Sequence, residues 1–147
     1  MPAPSSVILD DRLLVEEVLI GLRRPRREIK LFTTVYWYYR ASRAAVAGGS
    51  GKLSGPFMNV DTMLQRQAIR SLLQLPDAID FVHPTQLVPA MADIARAEPH
   101  LNLMNLEAIA AAQVLNATVW LSAATTNGIL PDALTRRNLR WKTVSLN

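Results

Sequence analysis

Three carboxylates stand where chemistry could gather: Asp10 and Asp11, directly behind the apolar run Val7-Ile8-Leu9, and Glu107, at the opening of an alanine-rich stretch. Carboxylates brought together from distant parts of a chain form an oxygen-ligand site for magnesium or manganese, ions that activate water against a phosphodiester. Asp11 also has a plainer explanation, because an acid in the first turn of a helix is favoured by the helix dipole. Position marks further residues behind other β-prone runs: Thr33 and Thr34, His83, and Ser122 to Thr125. Histidine is the side chain suited to general-base work near neutral pH, but no partner stands at catalytic spacing from His83, so it reads as structural.

The basic residues fall into two groups, Arg23, Arg24, Arg26 and Arg27 around Pro25, and Arg136, Arg137, Arg140 and Lys142. Arginine forks match phosphate oxygens, and such clusters would bind a nucleic-acid backbone electrostatically, with affinity falling steeply as salt rises. The run Tyr36-Trp37-Tyr38-Tyr39 sits in a helical pattern, where successive side chains point about 100° apart. Four consecutive rings therefore cannot share one buried face, and an interface with a second copy or a partner is expected. Gly48-Gly49-Ser50-Gly51-Lys52 has the look of a phosphate loop but fails as one. Position 46 is not glycine, Leu53 replaces the required Ser or Thr, and a helix instead of a strand precedes it.

The chain has 147 residues, half of them hydrophobic and 19% charged, which suits one globular domain and excludes global disorder. Aromatic residues make up only 6%, too few for a base-stacking platform. The net charge is +4, and thirteen of the sixteen basic residues are arginine. Cysteine is absent, which removes disulfides, thiolate metal sites and a cysteine nucleophile. The opening MPAPSSVILDDR has no basic segment ahead of its apolar run and does not read as a secretory signal. The stretch from Ala108 to Ala124 is interrupted by Gln113, Asn116, Thr118 and Ser122 and is too short to span a bilayer. A cytoplasmic protein without membrane association is expected.

Hydrophobic patterning predicts strands at Val7 to Leu9, Ile29 to Thr34, Ala78 to Val82, Thr118 to Leu121 and Trp141 to Ser145. Helices are predicted from Asp11 to about Gly21, Val35 to Ala47, Met58 to Leu75, Thr85 to Ala97 with Thr85 as its cap, Asn105 to Leu115, and a short one from Pro131. Residues 1–6 read as a tail and 48–57 as a flexible Gly/Ser loop within a single domain spanning 1–147. Strands alternating with helices imply an α/β/α fold with a five-stranded, mainly parallel sheet, whose ligands gather beyond the carboxyl ends of the strands.

Val7-Ile8-Leu9-Asp10 followed by Leu13-Leu14, together with the segment from Leu106 through Glu107 and the alanine-rich helix to Ser122, resembles the two ends of a PIN domain, the nuclease fold of VapC-type toxins. In element order the resemblance runs from residue 7 to about residue 145. It implies a metal-dependent ribonuclease fold, homodimerisation and an antitoxin-like protein partner. It also implies four acids around magnesium or manganese. The first falls on Asp10 and the third on Glu107, so their side chains are expected to meet at the sheet edge, with Asp11 as a further oxygen donor. The second falls near Tyr39 or Arg40 and the fourth on Ala123 or Ala124, none of which binds a cation. Arg12 replaces a small polar residue and would compete with a metal for the carboxylate, and Arg12 or Arg40 is expected close to the two acids.

The resemblance and its gaps together imply a degenerate ribonuclease with weak or lost cleavage, metal binding that is weak at best, and RNA contact through Arg12 and the two basic clusters. Two other readings stay open. One is a non-catalytic module binding itself or an antitoxin-like partner through Tyr36 to Tyr39. The other is an active enzyme with a rearranged site that draws on Asp11 or Asp80.

Overall fold

The computed structural model describes residues 5–22, 28–47 and 60–146. The predicted loop at 48–57 and the cluster Arg23, Arg24, Arg26 and Arg27 lie outside the described residues. The strands are β1 (Ser5–Leu9), β2 (Ile29–Thr33), β3 (Ile79–Asp80), β4 (Thr118–Leu121) and β5 (Trp141–Thr143). The helices are α1 (Asp11–Leu19), α2 (Val35–Ala47), α3 (Thr62–Leu73), α4 (Pro84–Ala97), α5 (Leu103–Leu115), α6 (Ala123–Thr126) and α7 (Leu130–Arg136). All five strands pair in parallel in the order β3-β2-β1-β4-β5. The predicted α/β class and five-stranded sheet are thus found.

Alternation along the strands divides the core into two. Ile8, Phe32, Val119 and Leu121 face α4, α5 and α7, whereas Val7, Leu9, Leu31 and Trp120 face α1 and α3. Helix α5 is apolar nearly all round, and Ala108 through Ala112 are fully or almost fully buried. Such a helix belongs between layers, and its small side chains let it lie close beneath the sheet. It ends at Asn116, which takes the left-handed conformation at φ 50°, a role this residue type fills well. Helix α1 stops at Gly21, where φ is 84°.

Local chemistry moves some predicted boundaries. Strand β1 begins at Ser5, so it takes in two residues of the predicted tail. The cap of α4 is His83, not Thr85, because its Nδ1 accepts from the Thr85 backbone N–H at 3.2 Å, and Pro84 fills the first helical position. The stretch after β4, for which no element is predicted, closes one short helical turn, α6.

From β1 the chain steps outward to β2 and β3, and then returns to the other side for β4 and β5. The direction of winding reverses between β1 and β4. In open parallel sheets, this reversal point is where a crevice forms beyond the strand ends.

Candidate functional site

Asp10 ends β1 at that reversal point and caps α1. It is completely buried. One carboxylate oxygen accepts the Leu13 N–H at 3.0 Å. The other accepts three donors, each at 2.7 Å: the Ser122 N–H, the Ser122 hydroxyl and the Thr125 hydroxyl. Ser122 follows β4 directly, so the carboxylate staples the two strands across the crevice. The four donors are split unevenly, three on Oδ2 and one on Oδ1, and together they fix the carboxylate in place. Asp11 stands in the first turn of α1, as the helix-dipole reading of the sequence expects, and the side chain that caps the helix is that of Asp10.

Beside this staple opens a cleft of about 300 Å³. Its polar lining comes from Asp11, Arg12, Arg40, Asn102, Asn105 and Thr125, and its apolar lining includes Met104, Ile129 and Leu130. Asp11 is paired with Arg40, whose Nε lies 3.3 Å from its Oδ2. Burial raises the pKa of Asp11, and the nearby Asp10 carboxylate adds to this, while Arg40 and Arg12 oppose both. Ala124, at a position where the resemblance expects an acid, contributes only a methyl group to the lining.

Glu107 serves elsewhere. Its two oxygens accept the backbone N–H groups of Val35 at 2.8 Å and Tyr36 at 2.9 Å, the first two residues of α2. Thr34 Oγ1 takes the third, from Trp37, at 3.0 Å. Three amides that a helix start leaves without partners are thereby satisfied, and the negative group sits where the helix dipole favours it. Glu107 lines a separate small cavity with Thr33, Thr34 and Phe81, while Asn105 lines the cleft that holds Asp11. Residues two apart on a helix point about 200° from each other, which accounts for the division. Replacing Glu107 with glutamine should set an amide donor against one of the α2 amides. An expected loss of about 1–2 kcal/mol would appear as a lower urea midpoint.

Asn105 is the residue that sequence reasoning passed over. It is 1% exposed, and its side-chain oxygen is buried without a hydrogen-bond partner among the described residues. Its own N–H is capped by the Asn102 side chain at 2.9 Å. The spacing Asn102-x-x-Asn105 is a readable helix-start signal, with Asn102 as the cap, but it says nothing of which way Asn105 faces.

The second basic cluster is engaged within the chain. Arg136 and Arg137 both pair with Glu98, at 2.7 and 3.1 Å, and hydrogen bonding from Arg136 foremost lowers the pKa of that carboxyl. Arg140 donates to the Asn116 carbonyl at 2.7 Å, and the Lys142 ammonium lies 4.3 Å from the centre of the Trp120 ring. The aromatic run divides between the two cores. Trp37 is buried, with Tyr36 packed beside it in one core, and Tyr38 packs on the other while donating its hydroxyl to the Leu72 carbonyl at 2.6 Å. Tyr39 alone of the four is largely exposed, at 57%. Helix α2 reaches both cores, which allows more rings to be buried than a single face could take. Asp80 lies at the end of β3, two strands from β1, roughly 10 Å away at ordinary strand spacing.

These groups do not suit a divalent cation. Asp10 is completely buried and engaged by four donors, Asp11 is held by a guanidinium, and Glu107 and Asp80 are elsewhere. Among the described residues, no three His, Asp or Glu side chains converge in a manner that could hold a metal. No described helix is long and apolar enough to cross a membrane.

The sequence matches no protein-family model and no curated relative. The structure is similar to a solved chain of VapBC-1 from nontypeable Haemophilus influenzae, with a TM-score of 0.52 and 16% identity, over 94% of this chain and 97% of that chain. At this identity the likeness concerns the fold alone, and the fold is the three-layer, PIN-like arrangement of five parallel strands between helices.

Proposed function

We propose that this chain is a degenerate VapC-like PIN protein, one that keeps the nuclease scaffold and an RNA-facing cleft but whose metal-dependent cleavage is weak or lost. The observation that carries this reading is the fate of its acids. The cleft beside the strand reversal holds Arg40 and Ala124 where the resemblance expects acids, and its one lining carboxylate is already paired. Magnesium or manganese would have to displace Arg40 from Asp11 to gain a single protein ligand there, and such an ion would bind weakly.

The test is a cleavage assay with structured RNA and manganese, run beside the same protein in EDTA. Cleavage no faster with manganese than in EDTA is expected. Manganese-dependent cleavage that vanishes in Asp11→Asn, with the fold of that variant checked by circular dichroism, would restore the active-enzyme reading.

A protein-binding role is the second reading. Val35, Tyr39 and Val46 are 57–60% exposed and lie within about 40° of one another around α2. An exposed apolar stripe of this kind suits a partner helix or a second copy of the chain. The chain similar in structure comes from a VapBC complex, which accords with an antitoxin-like partner.

A further inference from the structure

The cleft beside Asp10 has three properties that constrain its occupant. Its charged lining is two guanidinium groups against one carboxylate. Arg12 and Arg40 both line it, and among the described residues Arg12 has no carboxylate within ion-pair distance. Arg40 commits its Nε to Asp11, and a guanidinium carries further N–H donors beyond that one. Asn105 also lines the cleft, and its buried side-chain oxygen has no hydrogen-bond partner among the described residues. A buried acceptor without a partner is costly, and a ligand that brings a donor to it relieves the cost. Finally, Met104, Ile129 and Leu130 give the cleft an apolar wall, with Ile129 half-exposed at 53%.

An occupant that meets all three conditions carries an anion for the guanidinium groups, a hydroxyl donor for Asn105 and a flat apolar part for the wall. A divalent cation would meet only the second and would be repelled by both arginines. A simple carboxylate would meet only the first, and inorganic phosphate, even with a P–OH turned to Asn105, would leave the apolar wall uncovered. The geometry points to a metal-independent seat for a nucleoside 5′-monophosphate, free or at the end of an RNA strand. Its phosphate lies against Arg12 and Arg40, a ribose hydroxyl donates to the Asn105 oxygen, and the base rests on Met104 and Ile129. Arginine binds phosphate by paired N–H donors, which makes a metal unnecessary for holding the group. The volume of about 300 Å³ is of the size of a small-ligand pocket. This inference rests on the RNA-facing reading above but requires no cleavage, so the two can fail separately.

The test is calorimetric titration of the full chain in EDTA with adenosine 5′-monophosphate, adenosine, inorganic phosphate and the 2′,3′-dideoxy nucleotide. Saturable binding of the monophosphate is expected, with adenosine and inorganic phosphate each at least about tenfold weaker, since each lacks part of the match. Arg12→Gln, a change at an exposed position, should weaken the monophosphate about tenfold while leaving the circular dichroism spectrum unaltered. Asn105→Ala should remove the preference for the ribonucleotide over its dideoxy form. A 5′-phosphorylated tetraribonucleotide that binds more tightly than the monophosphate identifies a strand end as the occupant, and equal affinity identifies the free nucleotide. Absence of saturable binding in EDTA, binding that needs added manganese, inorganic phosphate binding as tightly as the nucleotide, or an unchanged affinity in Arg12→Gln would each overturn the proposal.

Discussion

Replacing Asp10 with alanine is expected to cost the fold about 3–5 kcal/mol, the magnitude seen when a buried, fully hydrogen-bonded charge loses its role. The substitution strands four donors at once: the Leu13 and Ser122 amides and the hydroxyls of Ser122 and Thr125. It also removes the cap of α1 and the staple between β1 and β4 at the place where the sheet reverses its winding. Since domains are stable by only about 5–15 kcal/mol, much of the total stability is at stake. Asp10→Asn should cost roughly half as much, because its amide oxygen can still accept from one side while its NH₂ faces a donor on the other. Urea unfolding followed by circular dichroism measures both changes. A loss below about 1 kcal/mol in Asp10→Ala would mean that the carboxylate contributes little to the fold and is held for a ligand instead.

This double use of Asp10 explains why the sequence is a partial guide to the site. The apolar run Val7 to Leu9 and the acid behind it are legible, because a buried parallel strand and its carboxyl end follow from hydrophobic patterning. The alanine-rich helix is legible for the same reason. What patterning does not convey is direction around a helix when two polar residues stand close together. Glu107 draws the eye as an acid, yet it faces the start of α2, and the neutral Asn105 faces the cleft. Nor does a charge cluster reveal its partners. Arg136 and Arg137 find Glu98, a residue 38 or 39 positions earlier. The aromatic run misleads by the assumption that a helix serves one core, whereas α2 serves two.

The direction of Asn105 leads to the second large effect. Asn105→Asp would add a carboxylate to the cleft that already contains Asp11, at the third position of α5, where the helix dipole favours an acid. Combined with Arg40→Gln, which frees Asp11 from its guanidinium, the change should raise manganese affinity by about tenfold or more over the native chain. Glu107→Asp, by contrast, alters a carboxylate outside this cleft and should leave manganese affinity as it was. Isothermal calorimetry distinguishes the two. If the double variant bound manganese no better than the native chain, the cleft would not be the place where the acids of a working site would meet.

The native chain itself provides the most direct measurement: a calorimetric titration with manganese, repeated with Asp11→Asn. Because Asp10 is buried and engaged by four donors and Asp11 is held by Arg40, the predicted result is no saturable binding at millimolar manganese and no difference between the two proteins. A saturable site of micromolar affinity that disappears in Asp11→Asn would contradict the account, since it would show that the cleft assembles a metal centre despite its arginines.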